Sequence, residues 1–140
     1  MLLHEFAVKL PEAAFRALYE ANPEIARLLI QQFTRVANSQ GWPFEYTDQI
    51  GSACARLFSA TSDPDIRAML TATALEVGVS HNRYYVMDVA GNLVQQTKDD
   101  NGALALAHAL EPMKGQLNAV TGRVNIARLN PIVRELFASE

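Results

Sequence analysis

The chain has 140 residues, 49% of them hydrophobic and 19% charged, with a formal net charge of −3. That balance excludes a disordered polymer and suits one globular domain, residues 1–140, long enough to bury its own core. The mild charge selects no partner, and a lone cysteine, Cys54, excludes an intramolecular disulfide and a cysteine-based zinc site.

The opening Met-Leu-Leu-His-Glu lacks a basic region followed by a long apolar run, and no apolar run approaches the length of a spanning helix. The expectation is a cytoplasmic protein without membrane contact. Residues 3–10 alternate loosely, with Phe6, Val8 and Leu10 on one side, and Pro11 disfavours helix at Leu10. They read either as a strand or as a short helix restarted at Pro11.

From Pro11 the pattern is helical, with Ala14, Phe15, Leu18 and Tyr19 on one face. Asn22-Pro23-Glu24 marks a fresh start: a capping side chain, proline at the first helical position, and an acid at the positive end of the dipole. Ile25, Leu29, Phe33 and Val36 form the apolar stripe of that helix, widened by Leu28, Ile30 and Ala37, and Gly41 is the expected stop. Trp42-Pro43 opens a linker, and a third helix is expected near Thr47 with Ile50, Ala53, Cys54, Leu57 and Phe58 inward.

Asp63-Pro64-Asp65 repeats the cap-then-proline signal. Ile66, Met69, Leu70, Thr73 and Val77 follow on one face up to Gly78. Residues 83–97 then break the helical pattern. Tyr84, Tyr85, Val86 and Met87, with Leu93 and Val94, suit a pleated surface, and Asp88 to Asn92 supplies turn residues around Gly91. The reading is a β-hairpin over 83–97, closed by a three-residue loop or by Gly91-Asn92, with residues 3–10 as a possible third strand. Asp99 to Gly102 is a turn and cap, Ala103 to Leu110 an apolar helix interrupted only by His108, and Asn130-Pro131 the start of a last helix. No internal repeat recurs at a fixed period. The fold class expected is α+β, predominantly helical, with five to seven helices packed with a small antiparallel hairpin.

No catalytic signature follows from the residue types. His4, His81 and His108 are scattered without a second ligand at metal spacing, so no metal and no cofactor is expected. Cys54 sits on an inward helix face, where a free cysteine acts as a small hydrophobe. The acids at 63, 65, 99 and 100 are explained by caps and turns, and no phosphate loop or nucleophile elbow is present. Enzyme activity therefore ranks last. Residues 112–140 carry Lys114, Arg123, Arg128 and Arg134 against Glu135 and Glu140, a net +2 that is thin for nucleic-acid binding.

Two binding functions remain. The first is a non-enzymatic protein-binding module (an inhibitor, immunity-type or adaptor protein) working as a homodimer, with Trp42, Phe44 and Tyr46 in or beside the linker as its anchors and the hairpin edge as its dimer seam. The alternative is a small-molecule sensor or carrier. Its pocket would lie between the hairpin and the helix bearing His108, lined by His81, Tyr84 and Tyr85.

Overall fold

A computed structural model describes residues 6, 9–38, 44–81, 86–112 and 129–138, with backbone alone at 37–38, 44–47, 78–81, 86–90 and 137–138. These residues form seven α-helices: α1 Glu12–Ala21, α2 Pro23–Asn38, α3 Phe44–Leu57, α4 Pro64–His81, α5 Val86–Gln96, α6 Asp100–Leu110 and α7 Pro131–Ala138. A 3₁₀ turn, Phe58–Ala60, follows α3. Among the described residues there is no strand, and no helix is long and apolar enough to cross a membrane.

The helices are built around α4. It packs against α2, α3, α5 and α6 together. Ile66, Ala68, Leu70, Thr71, Thr73, Ala74, Leu75 and Val77 are all buried, so burial runs around the helix rather than along one stripe. The expected single face was too narrow, and the helix continues through Gly78 to His81. Ala68 and Ala74 let neighbouring helices approach closely. Thr73 is accommodated by donating to the Met69 carbonyl and meeting the Thr34 hydroxyl of α2 at 2.7 Å. The Thr71 hydroxyl is buried and finds no hydrogen-bond partner among the described residues.

Helix starts follow the residues that mark them. The Asn22 side chain accepts from the amides of Glu24 and Ile25, and Asp63 accepts from Asp65 at 2.8 Å and from Ile66 at 3.2 Å. Asp99 accepts from Gly102, and Asn130 from Ile132. Each cap satisfies amides that a helix leaves without an internal partner. At three of the four, proline occupies the first helical position, where its missing N–H costs nothing.

The hairpin over 83–97 does not exist: the chain from Val86 to Gln96 is α5, and residues 82–85 lie outside the described residues. The fold is mostly helical, not α+β. Local β propensity loses here to packing. Leu93, Gln96 and Thr97 are buried at the i, i+3, i+4 spacing of a helix face, with Val94 packed beside them. Asn92 donates to the Ala55 carbonyl of α3, and Gln96 donates to the carbonyls of Pro64 and Gly102. Gly91 is exposed in mid-helix and makes no turn. The third strand at 3–10 also fails: Phe6 and Lys9 are helical, Leu10 has no regular structure, and the rest of that stretch lies outside the described residues.

Two further corrections concern helix faces. In α2 the buried side is Ala26, Ile30 and Phe33, whereas Ile25 and Leu28 face outward at 48% and 55% exposure. The apolar arc of this helix is wider than one contact can cover, and small Ala26 sets the inward side. In α6, Ala103, Leu106 and Leu110 are buried, but Leu104 and His108 are exposed.

The two glycines of this region give opposite expectations. Gly91→Ala should raise stability by about 0.5–1 kcal/mol, since alanine is the better helix former and nothing lies within 4 Å of the added carbon. A β-carbon at Gly102 would fall on the backbone carbonyl oxygen of Gln96, so Gly102→Ala should cost at least about 2 kcal/mol. Urea titration of both variants checks this. A destabilising Gly91→Ala would point back to a turn at that position.

The cap at Asp63 predicts a pH dependence. Burial acts to raise its pKa, but the Tyr19 hydroxyl and the amides of Ile66 and Asp65 together hold it below the ordinary carboxylate value. A depressed folded pKa gives stability that is complete above the unfolded value of ~3.9 and is lost as pH falls through the folded one. Asp63→Ala should therefore cost about 1–2 kcal/mol at neutral pH. The gap from the parent chain should shrink as the pH falls below that unfolded value. A gap that widened on acidification would contradict the assignment.

Candidate functional site

The segment joining α3 to α4 gathers a cluster of side-chain hydrogen bonds. Phe58–Ala60 turns as a 3₁₀ helix, Thr61 is extended, and Asp63 caps α4. Carbonyls in such a turn need donors from outside it. Arg16 of α1 provides two, through Nε to Ala60 at 3.1 Å and Nη2 to Ser59 at 3.2 Å. Arg67 of α4 provides the third, through Nε to Thr61. Three consecutive carbonyls are thus held by two guanidinium groups.

Other contacts fix the surroundings. The Tyr19 hydroxyl donates to the second Asp63 oxygen at 2.6 Å, and that hydrogen bond is the main cause raising the Tyr19 pKa. Arg56 donates to the Leu10 carbonyl at 2.7 Å and to Glu12 at 2.8 Å, tying the start of α1 to the end of α3. The Arg67 guanidinium lies over the Phe58 ring, 4.5 Å from its centre, a cation–π contact. Burial pushes its pKa down.

Two open clefts meet at Arg67. One, of about 360 Å³, lies between α1 and the 59–62 segment, where Arg16, Tyr19 and Glu20 face Ser59 and Ser62. The other, of about 420 Å³, lies between Ser62 and the α5–α6 connection, lined by Gln95, Gln96, Lys98 and Asp99. Ser62 and Arg67 line both. Their walls mix apolar surface with hydroxyls, amides, cations and the carboxylates of Glu20 and Asp99, and both clefts are open to water.

The residues singled out in the sequence are not brought together here. Trp42, Tyr84 and Tyr85 lie outside the described residues, and only the backbone is described for Phe44, Tyr46 and His81. Phe44 and Tyr46 belong to the first turn of α3, so they are helical rather than linker residues. His81 ends α4. His108 is exposed on α6, and the hairpin that was to face it is a helix. Cys54 is fully buried, and desolvation pushes its thiol up to about 12, which leaves essentially no thiolate at neutral pH for nucleophilic work. Among the described residues no three His, Cys, Asp or Glu side chains converge to hold a metal.

Sequence reading missed Arg16 and Arg67. Their partners lie 43 to 44 residues away for Arg16, so no local pattern announces that arginine, and Arg67 occupies an ordinary helical position. The exposed pair Ile25 and Leu28 was assigned to the core because it extends the same apolar arc. In comparisons with known proteins, no family model, no curated protein and no solved structure matches this chain.

Proposed function

We propose that this chain is a non-enzymatic protein-binding module that presents the outer face of α2 to its partner. The observation that carries the reading is Ile25 and Leu28, one turn apart and about half exposed, on a helix whose other exposed positions, among its described side chains, are polar apart from Pro23. Scattered apolar surface residues are ordinary, but an adjacent pair of large aliphatic side chains is a ready anchor. Completing the burial of two half-exposed side chains contributes about 2 kcal/mol, taking half of the full-burial value for each. That is enough to orient a partner and too little to hold one. The contact must therefore extend beyond the pair, since stable interfaces cover roughly 800 Å² on each side. Trp42, Phe44 and Tyr46 remain the aromatic candidates for that extension, now with two of them at the start of α3. Pairing of hairpin edges, the expected route to a homodimer, falls away with the hairpin.

The double variant Ile25→Glu, Leu28→Glu tests this. Its melting temperature should stay within a few degrees of the parent, because both side chains already face water. Quantitative capture from a lysate of the source organism should then show a specific protein retained by the parent and lost by the variant. Identical captured sets, or an empty set with the parent chain, would sink the reading.

A further inference from the structure

The clefts at Arg67 carry more positive charge than the fold itself consumes. Arg67 is held at Nε by the Thr61 carbonyl and on its face by Phe58, while its two terminal nitrogens make no hydrogen bond to any described residue. Among the described residues no carboxylate lies within ion-pair distance of Arg67 or of Arg16. Backbone carbonyls orient both arginines without neutralising them. The lowered pKa of Arg67 has the same origin, desolvation without a compensating anion. Lys98 lines the second cleft, so Arg16, Arg67 and Lys98 stand against Glu20 and Asp99. One Asp99 oxygen is already occupied by the Gly102 amide. Asp63 adjoins the first cleft through Tyr19, so what sets the clefts apart is two arginines without a carboxylate partner among the described residues, not a net positive charge.

The first amides of α4 are not the source of this site, because Asp63 already occupies those of Asp65 and Ile66. What remains is a pair of guanidinium groups from two different helices with the exposed Ser62 hydroxyl between the clefts. A planar carboxylate presents one edge, which a single arginine fork can satisfy. Two arginines and a hydroxyl on separate elements suit a group with oxygens in three directions. A cleft of about 360 Å³ is also in the size range of small-molecule sites, leaving room for a body attached to that group.

We propose that Arg67, with Arg16 and Ser62, binds the phosphate group of a small phosphorylated molecule, whose remainder extends past Arg67 toward Lys98. This site is independent of the α2 face. Only the cleft residues enter its test, so the two readings stand or fall separately.

The test is an amide NMR titration of the full chain with inorganic phosphate and pyrophosphate. Acetate serves as the planar comparator and chloride as the control at matched ionic strength. Phosphate and pyrophosphate should shift the amides of Thr61, Ser62 and Arg67 saturably, and acetate more weakly. Arg67→Gln should weaken binding about tenfold or more, the loss of a charge-assisted hydrogen bond. Lys98→Gln leaves the carbonyl clamp intact and should weaken pyrophosphate more than phosphate, so a folding defect in Arg67→Gln would not shield the idea. Shifts no larger than chloride gives, or saturable shifts that map elsewhere, would overturn the site. So would binding unchanged in both variants. Acetate binding as strongly as phosphate would overturn the phosphate assignment.

Discussion

Burial of α4 on all sides is the constraint from which the rest of the arrangement follows. Ile66, Leu70 and Leu75 lose all contact with water, each worth about 1.5–3 kcal/mol relative to exposure. A helix with apolar positions at every angle cannot be served by one neighbour, so α2, α3, α5 and α6 all have to reach it. Of those helices α2, α5 and α6 then need only one buried side, while α3 buries Ile50, Ala53, Cys54, Ala55 and Leu57 between several neighbours. That explains why α5 buries Leu93, Gln96 and Thr97 and leaves Gly91 exposed, and why α2 turns Ala26, Ile30 and Phe33 inward. Their outer faces are released from any structural duty, and the outward Ile25 and Leu28 become informative for that reason.

The start of α4 has to be placed accurately for this to work, and it is where the polar contacts concentrate. Asp63 closes the helix N-terminus with one oxygen and receives Tyr19 of α1 with the other. Gln96 of α5 reaches the Pro64 carbonyl at the first residue of α4 and Gly102 of α6 at the same time. One short stretch is thereby tied to α1, α5 and α6 as well as to its own helix. The close approach of Gly102 to Gln96 belongs to the same junction: only a residue without a β-carbon lets α6 begin so near the end of α5.

What was legible in the sequence divides along the range of the interaction. Asn22-Pro23, Asp63-Pro64, Asp99 and Asn130-Pro131 were readable because a cap and the amides it serves lie within three residues, so the chemistry is written locally. Residues 86–97 were misread because valine, methionine and a central Asp-Val-Ala-Gly-Asn favour a hairpin when taken alone. The decision for helix comes from what Leu93, Asn92 and Gln96 meet on α3, α4 and α6. The outward face of α2 escaped for a different reason. A broad apolar arc identifies a helix well but does not say which edge of the arc a neighbour will cover. The Arg16 and Arg67 cluster left no trace at all, since its partners are backbone carbonyls, which carry no sequence signal.

That same use of carbonyls bears on what the cluster can do. An arginine paired with a carboxylate is neutralised, and an incoming anion has to displace the pair. An arginine fixed by a carbonyl and an aromatic ring keeps its charge while losing much of its rotamer freedom. Side-chain ordering is one of the main costs of binding, roughly 0.5–1.5 kcal/mol for each flexible side chain immobilised. At Arg67 the Thr61 carbonyl and the Phe58 ring have met part of that cost during folding. The contact that holds the 58–63 turn against α4 therefore also leaves a charged, oriented donor at the mouth of two clefts. Structural clamp and recognition element are, on this view, one side chain seen from its two ends.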